Sequence, residues 1–306
     1  MAERLAAAGG ELRRFMLERL PVRGFWIRLD VPWRELRRHQ HYAPSVEALL
    51  GEAVSASVLL AATLKFHGTL TLQLAGDGLV SLLVAQCTHD FSIRAVARAP
   101  EIVVGEPGFR QLVGDGRLSV TVEADERAAR YQGIVALEGR TLADCIETYC
   151  ATSEQLPTRI ALAADSQRSA GLLLQNLPQT SAPGQSAGVL PREVWDSLSS
   201  RVAALDGPLL RLSSAEDVLQ RVCAEHDCRL YAGAPVKFIC RCDAARVRSV
   251  LRSLGVEELR GILDEQGAVS VTCEFCGRPY QFDAIDVERL FAIGAGPGPE
   301  SPQSLN

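Results

Sequence analysis

Hydrophobic residues recur at helical spacing over residues 46–64, which predicts one long, buried helix. The residues of this repeat are Val46, Leu49, Leu50, Val54, Val58 and Leu64. Ser45, directly after Pro44, suits the N-cap position. The most apolar stretch, residues 53–64, is shorter than the about 20 residues of a membrane-spanning helix, and two serines dilute it. The pattern therefore predicts a core helix and no membrane span.

Short runs of apolar residues between positions 69 and 137 predict strands. The runs cover residues 69–74, 80–86, 92–97, 117–122 and 131–137. Two Gly-Asp-Gly sequences, at positions 76–78 and 114–116, stand where hairpin turns are needed, because glycine adopts positive φ at little steric cost. Neither sequence opens a helix after a strand, so turns are favoured over phosphate-binding loops. Together these runs predict an antiparallel sheet.

Further predictions concern the rest of the first half. Residues 11–20 have the spacing of a short helix, residues 25–29 that of a strand and residues 33–40 that of another helix. Thr141 suits the cap of a helix with one apolar face, formed by Leu142, Cys145, Ile146, Tyr149 and Cys150. Since cysteine is among the most often buried residue types, Cys87, Cys145 and Cys150 are predicted to be core residues.

A change of composition follows this region. Residues 178–188, PQTSAPGQSAG, are rich in Pro, Gly, Ser and Gln, which is typical of a linker. Pro191 then suits the first turn of a helix with one apolar face, formed by Val194, Leu198, Val202 and Leu205. Residues 215–223 suit a second amphipathic helix. Both helices need a partner surface.

Length and composition bound the class of protein. The 306 residues exceed one typical domain, and 47% hydrophobic with 23% charged residues is a globular profile. The first residues, MAERLAAAGGELRRF, lack the apolar core of a signal peptide, which predicts a cytoplasmic location. Nine cysteines are then expected to be mostly reduced, so that clusters among them indicate metal or redox chemistry. The net charge of −5 argues against broad nucleic-acid binding.

Two close cysteine pairs near the C-terminus form such a cluster. Cys240-x-Cys242 and Cys273-x-x-Cys276 are separated by 30 residues. Paired cysteines of this kind build tetrahedral zinc–thiolate sites, so these four residues are predicted to bind one zinc ion. The segment around them is a unit of about sixty residues, a size at which a structural metal commonly supplies missing stability.

The spacing alone leaves the role of the metal open between a structural staple and a redox switch. Most four-cysteine sites are staples. Cys240 and Cys242, however, are only two positions apart, whereas an ordinary zinc ribbon has Cys-x-x-Cys on both sides. Such close thiols readily close into a local disulfide, which favours the switch.

Two other classes of protein can carry similar cysteines. A thioredoxin-like enzyme has Cys-x-x-Cys at the start of a helix, whereas Cys273 and Cys276 precede Gly277 in a strand-to-strand turn. A nucleic-acid-binding zinc ribbon is the stronger rival, but residues 237–293 carry eight Lys and Arg against nine Asp and Glu, one negative charge in excess. The chain has no histidine pair, nucleophile elbow or P-loop that would indicate an enzyme.

Several segments, in one order along the chain, resemble the bacterial thirty-three-kilodalton heat shock protein family of redox-regulated holdase chaperones. They are the four cysteines with Gly277, Tyr280 and Phe282, and the segments AATLKF (61–66), QLAGDG (73–78), YQG (131–133), LEG (137–139) and SEQLPTR (153–159). The resemblance covers nearly the whole chain.

The resemblance implies an α+β fold in four parts. Residues 1–180 would form a substrate-binding core with an antiparallel sheet and helices, and residues 181–235 a metastable helical linker. Residues 236–293 would form the zinc-binding redox-switch domain, and residues 294–306 a disordered tail.

The resemblance also implies a mechanism. In the reduced, inactive state all four cysteines would bind zinc. Peroxide or hypochlorite would pair Cys240 with Cys242 and Cys273 with Cys276, release the zinc and unfold the linker. The implied partners are unfolded or aggregation-prone client proteins, bound without ATP, and a second copy in an oxidised homodimer, with no nucleic acid.

Cys223 and Cys228 depart from the family pattern as additional thiols within the linker. The spacing Cys223-x-x-His226-x-Cys228 could hold a second metal, but disulfide exchange is the favoured role. The charge density of residues 191–235 is also modest for this family.

Overall fold

The computed structural model describes residues 9–124, 130–178 and 190–292. The chain divides into two compact units, Met1–Ile239 and Cys240–Asn306. Both combine helices with antiparallel strand pairs, which confirms the predicted α+β class. The predicted tail, and all but the first residue of the linker segment predicted at 178–188, lie outside the described residues.

The first unit contains twelve described strands and seven described α-helices. The strands are β1 (Gly10–Leu17), β2 (Val22–Leu29), β3 (Gly68–Gly76), β4 (Leu82–Thr88), β5 (Ser92–Arg98), β6 (Gly116–Ala124), β7 (Arg130–Ala136), β8 (Thr158–Ala164), β9 (Ser169–Asn176), β10 (Cys228–Leu230), β11 (Ala234–Pro235) and β12 (Lys237–Phe238). The helices are α1 (Val31–Arg37), α2 (Pro44–Thr63), α3 (Phe109–Val113), α4 (Leu142–Tyr149), α5 (Arg192–Ala203), α6 (Gly207–Leu212) and α7 (Ala215–Cys223).

These strands form two sheets. Sheet 1 has the order β10-β1-β2-β9-β8, with β11 also paired to β1, and all its pairs are antiparallel. Sheet 2 has the order β12-β5-β4-β3-β6-β7 and is antiparallel except where β12 joins β5. The strand runs predicted between residues 69 and 137 all fall within sheet 2.

Helix α2 packs against both sheets and forms the centre of the core, as its apolar repeat predicts. Pro44 lies in its first turn and Ala43 holds the N-cap position, so the predicted Ser45 cap is wrong by two residues. Small residues allow close approach: a Cβ on Gly51 would lie 2.4 Å from Ala164 Cβ. Among the described residues, α2 is the only helix that is long and apolar enough to cross a membrane. Of its most apolar stretch of 18 residues, 78% is buried inside the protein.

The opposite face of sheet 1 is covered by α5, α6 and α7. Adjacent residues on one strand contact different clusters: Phe25 and Ile27 pack towards α2, whereas Trp26 packs under α5–α7. The cluster under these helices also contains Phe15, Leu17, Val22, Leu172, Leu174, Leu198, Val202, Leu210, Val218 and Val222. The amphipathic helices predicted after Pro191 thus have sheet 1 as their partner surface.

Two local predictions are wrong. Residues 11–20 mostly form β1 rather than a helix, because β1 is buried on both faces: Leu12 packs in the core around α2 and Phe15 in the cluster under α5–α7. The resulting three-residue spacing imitates a helix. Residues 114–116 do not close a hairpin but follow α3, and Asp115 donates its backbone N–H to Asp77 Oδ1 at 2.6 Å, joining the two Gly-Asp-Gly segments.

The second unit contains α8 (Ala244–Leu254), α9 (Val256–Gln266), β13 (Val269–Thr272), β14 (Pro279–Phe282) and α10 (Ala284–Ala292). Gly255 ends α8 with a positive φ of 92°. Asp283 Oδ1 accepts the Asp286 N–H at 2.8 Å and caps α10. Among the residues of this unit that the structure describes, the buried apolar cluster has six members, Leu251, Leu259, Val269, Phe282, Val287 and Leu290.

Candidate metal centre

The four cysteines lie on two short loops of the second unit. Cys240 and Cys242 precede α8, whose first turn is fixed by Asp243 Oδ1 accepting the Arg246 N–H at 2.7 Å. Cys273 and Cys276 lie in the turn between β13 and β14. The backbone fixes this turn, since Gly277 N–H donates to the Cys273 carbonyl at 2.8 Å.

The structure brings all four predicted sulfurs together. Their Sγ atoms all lie within 4.8 Å of one another, with Cys240 and Cys273 3.7 Å apart and Cys242 and Cys276 3.4 Å apart. Four sulfurs at about 2.3 Å from a tetrahedral zinc ion would lie about 3.8 Å apart. The four side chains are half-buried free thiols, and this donor set fits a single zinc ion.

The electrostatics of the cluster also fit a cation. Burial raises the pKa of Cys240 and of Cys276. Burial acts in the same direction on Cys242, but Tyr280 and the other three thiols favour its thiolate and lower the pKa of Cys242 to about 7. Thiols this close cannot all ionise without a positive charge between them, because each thiolate disfavours the next.

Tyr280 is a residue whose contact with the site was not predicted from the sequence. Its hydroxyl oxygen is shielded from solvent and makes no hydrogen bond of normal geometry with the described residues. It nevertheless faces the Cys242 sulfur closely enough to favour the thiolate. A buried donor of this kind fits a metal-bound thiolate as its acceptor. The alternation of Tyr280 and Phe282 along β14 indicates only a strand.

The other cysteines are not part of this cluster. Cys87, Cys145 and Cys150 are buried in the core around α2, as predicted. Burial raises the pKa of Cys150 to about 12, which makes it a poor nucleophile. Within residues 9–124, 130–178 and 190–292, Cys240, Cys242, Cys273 and Cys276 are the only group of three or more side chains placed to bind a metal.

Comparisons with known proteins identify the family of the chain. The family model described as Hsp33 protein matches residues 10–283. A 33 kDa chaperonin of Nitrosococcus oceani is 40% identical over 280 residues, covering 92% of this chain and 93% of the relative. The chain belongs to the Hsp33 family. A 33 kDa chaperonin of Pseudomonas aeruginosa is 39% identical over 290 residues, covering 94% of this chain and 96% of that protein.

A solved structure shows the same fold. The crystal structure of the 33 kDa chaperonin (heat shock protein 33 homolog) of Thermotoga maritima matches with a TM-score of 0.80 at 22% identity, covering 93% of this chain and 98% of that one. The family resemblance expected from the sequence is confirmed, and the chain is an Hsp33-type chaperone. Family membership does not favour a nucleic-acid-binding zinc ribbon.

The helices over sheet 1 are a second feature relevant to a chaperone, because they cover an apolar face. Polar contacts hold them at the rim: Arg13 pairs with Glu216 at 2.5 Å, Arg211 with Asp165 at 2.9 Å and Arg201 with Glu225 at 2.6 Å. Surface ion pairs of this kind contribute only about 0–1 kcal/mol each.

The packing along the α5 edge of this cover is incomplete. Two adjoining cavities, of about 600 and 480 Å³, lie where α5 meets α4 and β8. Trp26 Nε1 and Ser199 Oγ are buried without a hydrogen-bond partner among the described residues. A buried polar atom left unpaired costs about 1–3 kcal/mol. The cover over sheet 1 is therefore incompletely packed along its α5 edge.

Proposed function

We propose that this Hsp33-family chain is an ATP-independent holdase that is inactive when reduced and zinc-bound, and that opens when its cysteines are oxidised. The observation that carries the proposal is that Phe15, Leu17 and Trp26 are fully or almost fully buried under α5–α7, where Trp26 Nε1 has no hydrogen-bond partner among the described residues. An apolar face of this kind, once uncovered, suits unfolded client proteins.

Zinc would be held by Cys240, Cys242, Cys273 and Cys276, and when bound it would stabilise four thiolates and cross-link the two cysteine loops. Oxidation would form the disulfides Cys240–Cys242 and Cys273–Cys276. Formation of each disulfide would remove two electrons from two thiolates, and one hydrogen peroxide would accept them, together with two protons from solvent, to give two waters. The sulfurs would then no longer be thiolate donors and would no longer hold the metal.

The segment before Cys240 connects oxidation of the cysteines to the face of sheet 1 that α5–α7 cover. β12 pairs with β5 through Lys237 and Phe238, and Cys240 follows only two residues later. β10 and β11 lie between α7 and β12 and pair with β1. Unfolding that begins at Cys240 would therefore loosen β12 and then α5–α7, which exposes the apolar residues of sheet 1. Heat favours this step, because local opening is an equilibrium.

The proposal extends to the location of the chain, its partners and the activities that it lacks. We expect cytoplasmic action on aggregation-prone proteins, homodimerisation of the oxidised form through the uncovered face, and no enzymatic activity. We expect no salt-sensitive binding of DNA or RNA, since residues 237–293 carry no net positive charge. The domain boundaries predicted from the resemblance belong to the same proposal.

Four measurements on one preparation test the mechanism. Reduced protein should contain one zinc per chain by elemental analysis and should not suppress the aggregation of a heat-denatured client. After peroxide at elevated temperature it should have lost the zinc, suppress aggregation without ATP, sediment as a dimer, and show faster hydrogen exchange in α5–α7. Cys145→Ser, which changes a core thiol, is the matched control and should behave as the wild type. Unchanged exchange in α5–α7 while activity rises would contradict the mechanism.

A further inference from the structure

Cys223 and Cys228 form a second thiol pair, within the first unit and outside the metal centre. Cys223 is the last residue of α7 and Cys228 the first of β10. The turn between them is fixed, since His226 N–H donates to the Cys223 carbonyl at 2.7 Å. β10 is itself fixed to the sheet, because Cys228 pairs with Leu17 of β1.

The two thiols share one environment but differ in exposure. Cys223 is only 3% exposed and belongs to the apolar cluster under α5–α7, whereas Cys228 packs against that cluster and is half-buried. The neighbouring Cys228 thiol and burial raise the pKa of Cys223, and the neighbouring Cys223 thiol lowers the pKa of Cys228. Cys228 is thus both the more accessible thiol and the better nucleophile.

We propose that Cys223 and Cys228 are a peroxide-oxidisable dithiol whose disulfide restrains α7 against β10. The Cys228 thiolate attacks one peroxide oxygen, giving a sulfenic acid and hydroxide. The Cys223 thiol then attacks the sulfenic sulfur, forming the disulfide and releasing water. In total two thiols lose two electrons and two protons, and one hydrogen peroxide becomes two waters.

The consequence follows from where the bond lies. α7 contributes Val218 and Val222 to the cover over sheet 1, and β10 lies at the edge of that sheet. A disulfide that encloses six residues limits the freedom of the open segment more than that of the closed one, so it favours the closed state. The bond would lower the open population by about tenfold and so oppose the opening caused by oxidation of Cys240, Cys242, Cys273 and Cys276.

Formation of the Cys223–Cys228 disulfide can be tested without assuming the proposed function. Only the effect of the disulfide on opening rests on that function. Trypsin cleavage after Arg221 and Arg229 gives the peptide VCAEHDCR, which contains Cys223 and Cys228 and no other cysteine. After peroxide treatment of the full-length wild type and alkylation, we expect this peptide to be unalkylated and lighter by two hydrogens. A fully alkylated peptide, in a sample whose Cys87 peptide is also alkylated, overturns the dithiol.

The consequence is tested with Cys228→Ser and, because Cys223 is buried, with Cys223→Ala as a second variant. After peroxide treatment at the same concentration, both should show about tenfold faster hydrogen exchange in α5–α7 than wild type, while the reduced proteins exchange alike. Cys145→Ser is the control and should match wild type. Disulfide formation with identical exchange rates in all oxidised proteins overturns the restraint but leaves the dithiol. If α5–α7 stay closed after peroxide in the wild type and in both variants, the proposed function and the restraint are both wrong. The VCAEHDCR peptide still shows whether Cys223 and Cys228 form a disulfide.

Discussion

The ring of Phe15 lies directly over Gly24, its cross-strand partner on β2. A Cβ at position 24 would lie only 2.1 Å from Phe15 Cζ. Phe15 is fully buried in the cluster under α5–α7, and this position depends on the missing side chain of its neighbour. The packing of α5–α7 on sheet 1 therefore depends on the absence of a side chain at Gly24.

Gly24→Ala should loosen α5–α7, because the methyl group forces the Phe15 ring towards these helices. Overpacking of this kind costs about 1–3 kcal/mol. We expect α5–α7 to be cleaved faster in limited proteolysis and client aggregation to be suppressed at a lower temperature. Gly261→Ala is a matched control, since a Cβ at that helical position of α9 meets no atom within 4 Å. Equal proteolysis of Gly24→Ala and wild type would show that Phe15 does not support the cover.

Removal of the metal should unfold the second unit of the reduced protein. Its core has six buried residues, whereas a bound structural zinc contributes about 10–16 kcal/mol of apparent binding free energy near neutral pH. A strong chelator should therefore abolish hydrogen-exchange protection in α8, α9 and α10. Cys273→Ser should have the same effect without chelator, while Cys145→Ser should keep its protection until metal is removed. Protection that survives in metal-free protein would contradict a metal-dependent fold.

The sequence predicts the features that depend on residues close together in the chain, and it does not predict those that depend on contacts between distant segments. The four cysteines are fixed by their spacing, and α2 by a long repeat. β1 is predicted wrongly because burial on both faces of sheet 1, created by α2 and by α5–α7, removes the alternation of a strand. The role of Gly24 is likewise invisible, because Phe15 reaches it only through strand pairing.

Tyr280→Phe should weaken metal binding without changing the fold, since it removes only the hydroxyl that faces Cys242. Loss of an outer-shell partner of a metal ligand typically lowers metal affinity by about 10- to 100-fold. We expect faster zinc transfer to a chromogenic chelator and unchanged hydrogen-exchange protection in zinc-saturated protein. Tyr131→Phe, on the exposed strand β7, is the matched control. Identical transfer rates for both variants and wild type would show that the Tyr280 hydroxyl does not reach the thiolate.

Glu52 should make the first unit less stable as pH rises. Its side chain on α2 faces the 480 Å³ cavity together with Asp144, Glu147 and Arg159, and it makes no hydrogen bond or ion pair with the described residues. Burial raises the pKa of Glu52 to about 7, above the value of about 4.3 expected in the unfolded chain.

The folded state therefore binds the Glu52 proton more tightly than the unfolded state. The loss of stability that comes from ionising buried Glu52 is absent below about pH 4.3, grows as pH rises and is complete above about pH 7. With partial solvent exposure we expect it to reach about 1–2 kcal/mol. Glu52→Gln should remove this slope and stabilise α5–α7 above neutral pH, as followed by tryptophan fluorescence during denaturant unfolding between about pH 5 and 8. Glu193→Gln, on the exposed side of α5, should retain the wild-type slope. A Glu52→Gln variant with the wild-type pH dependence would show that Glu52 carries no uncompensated charge in this cavity.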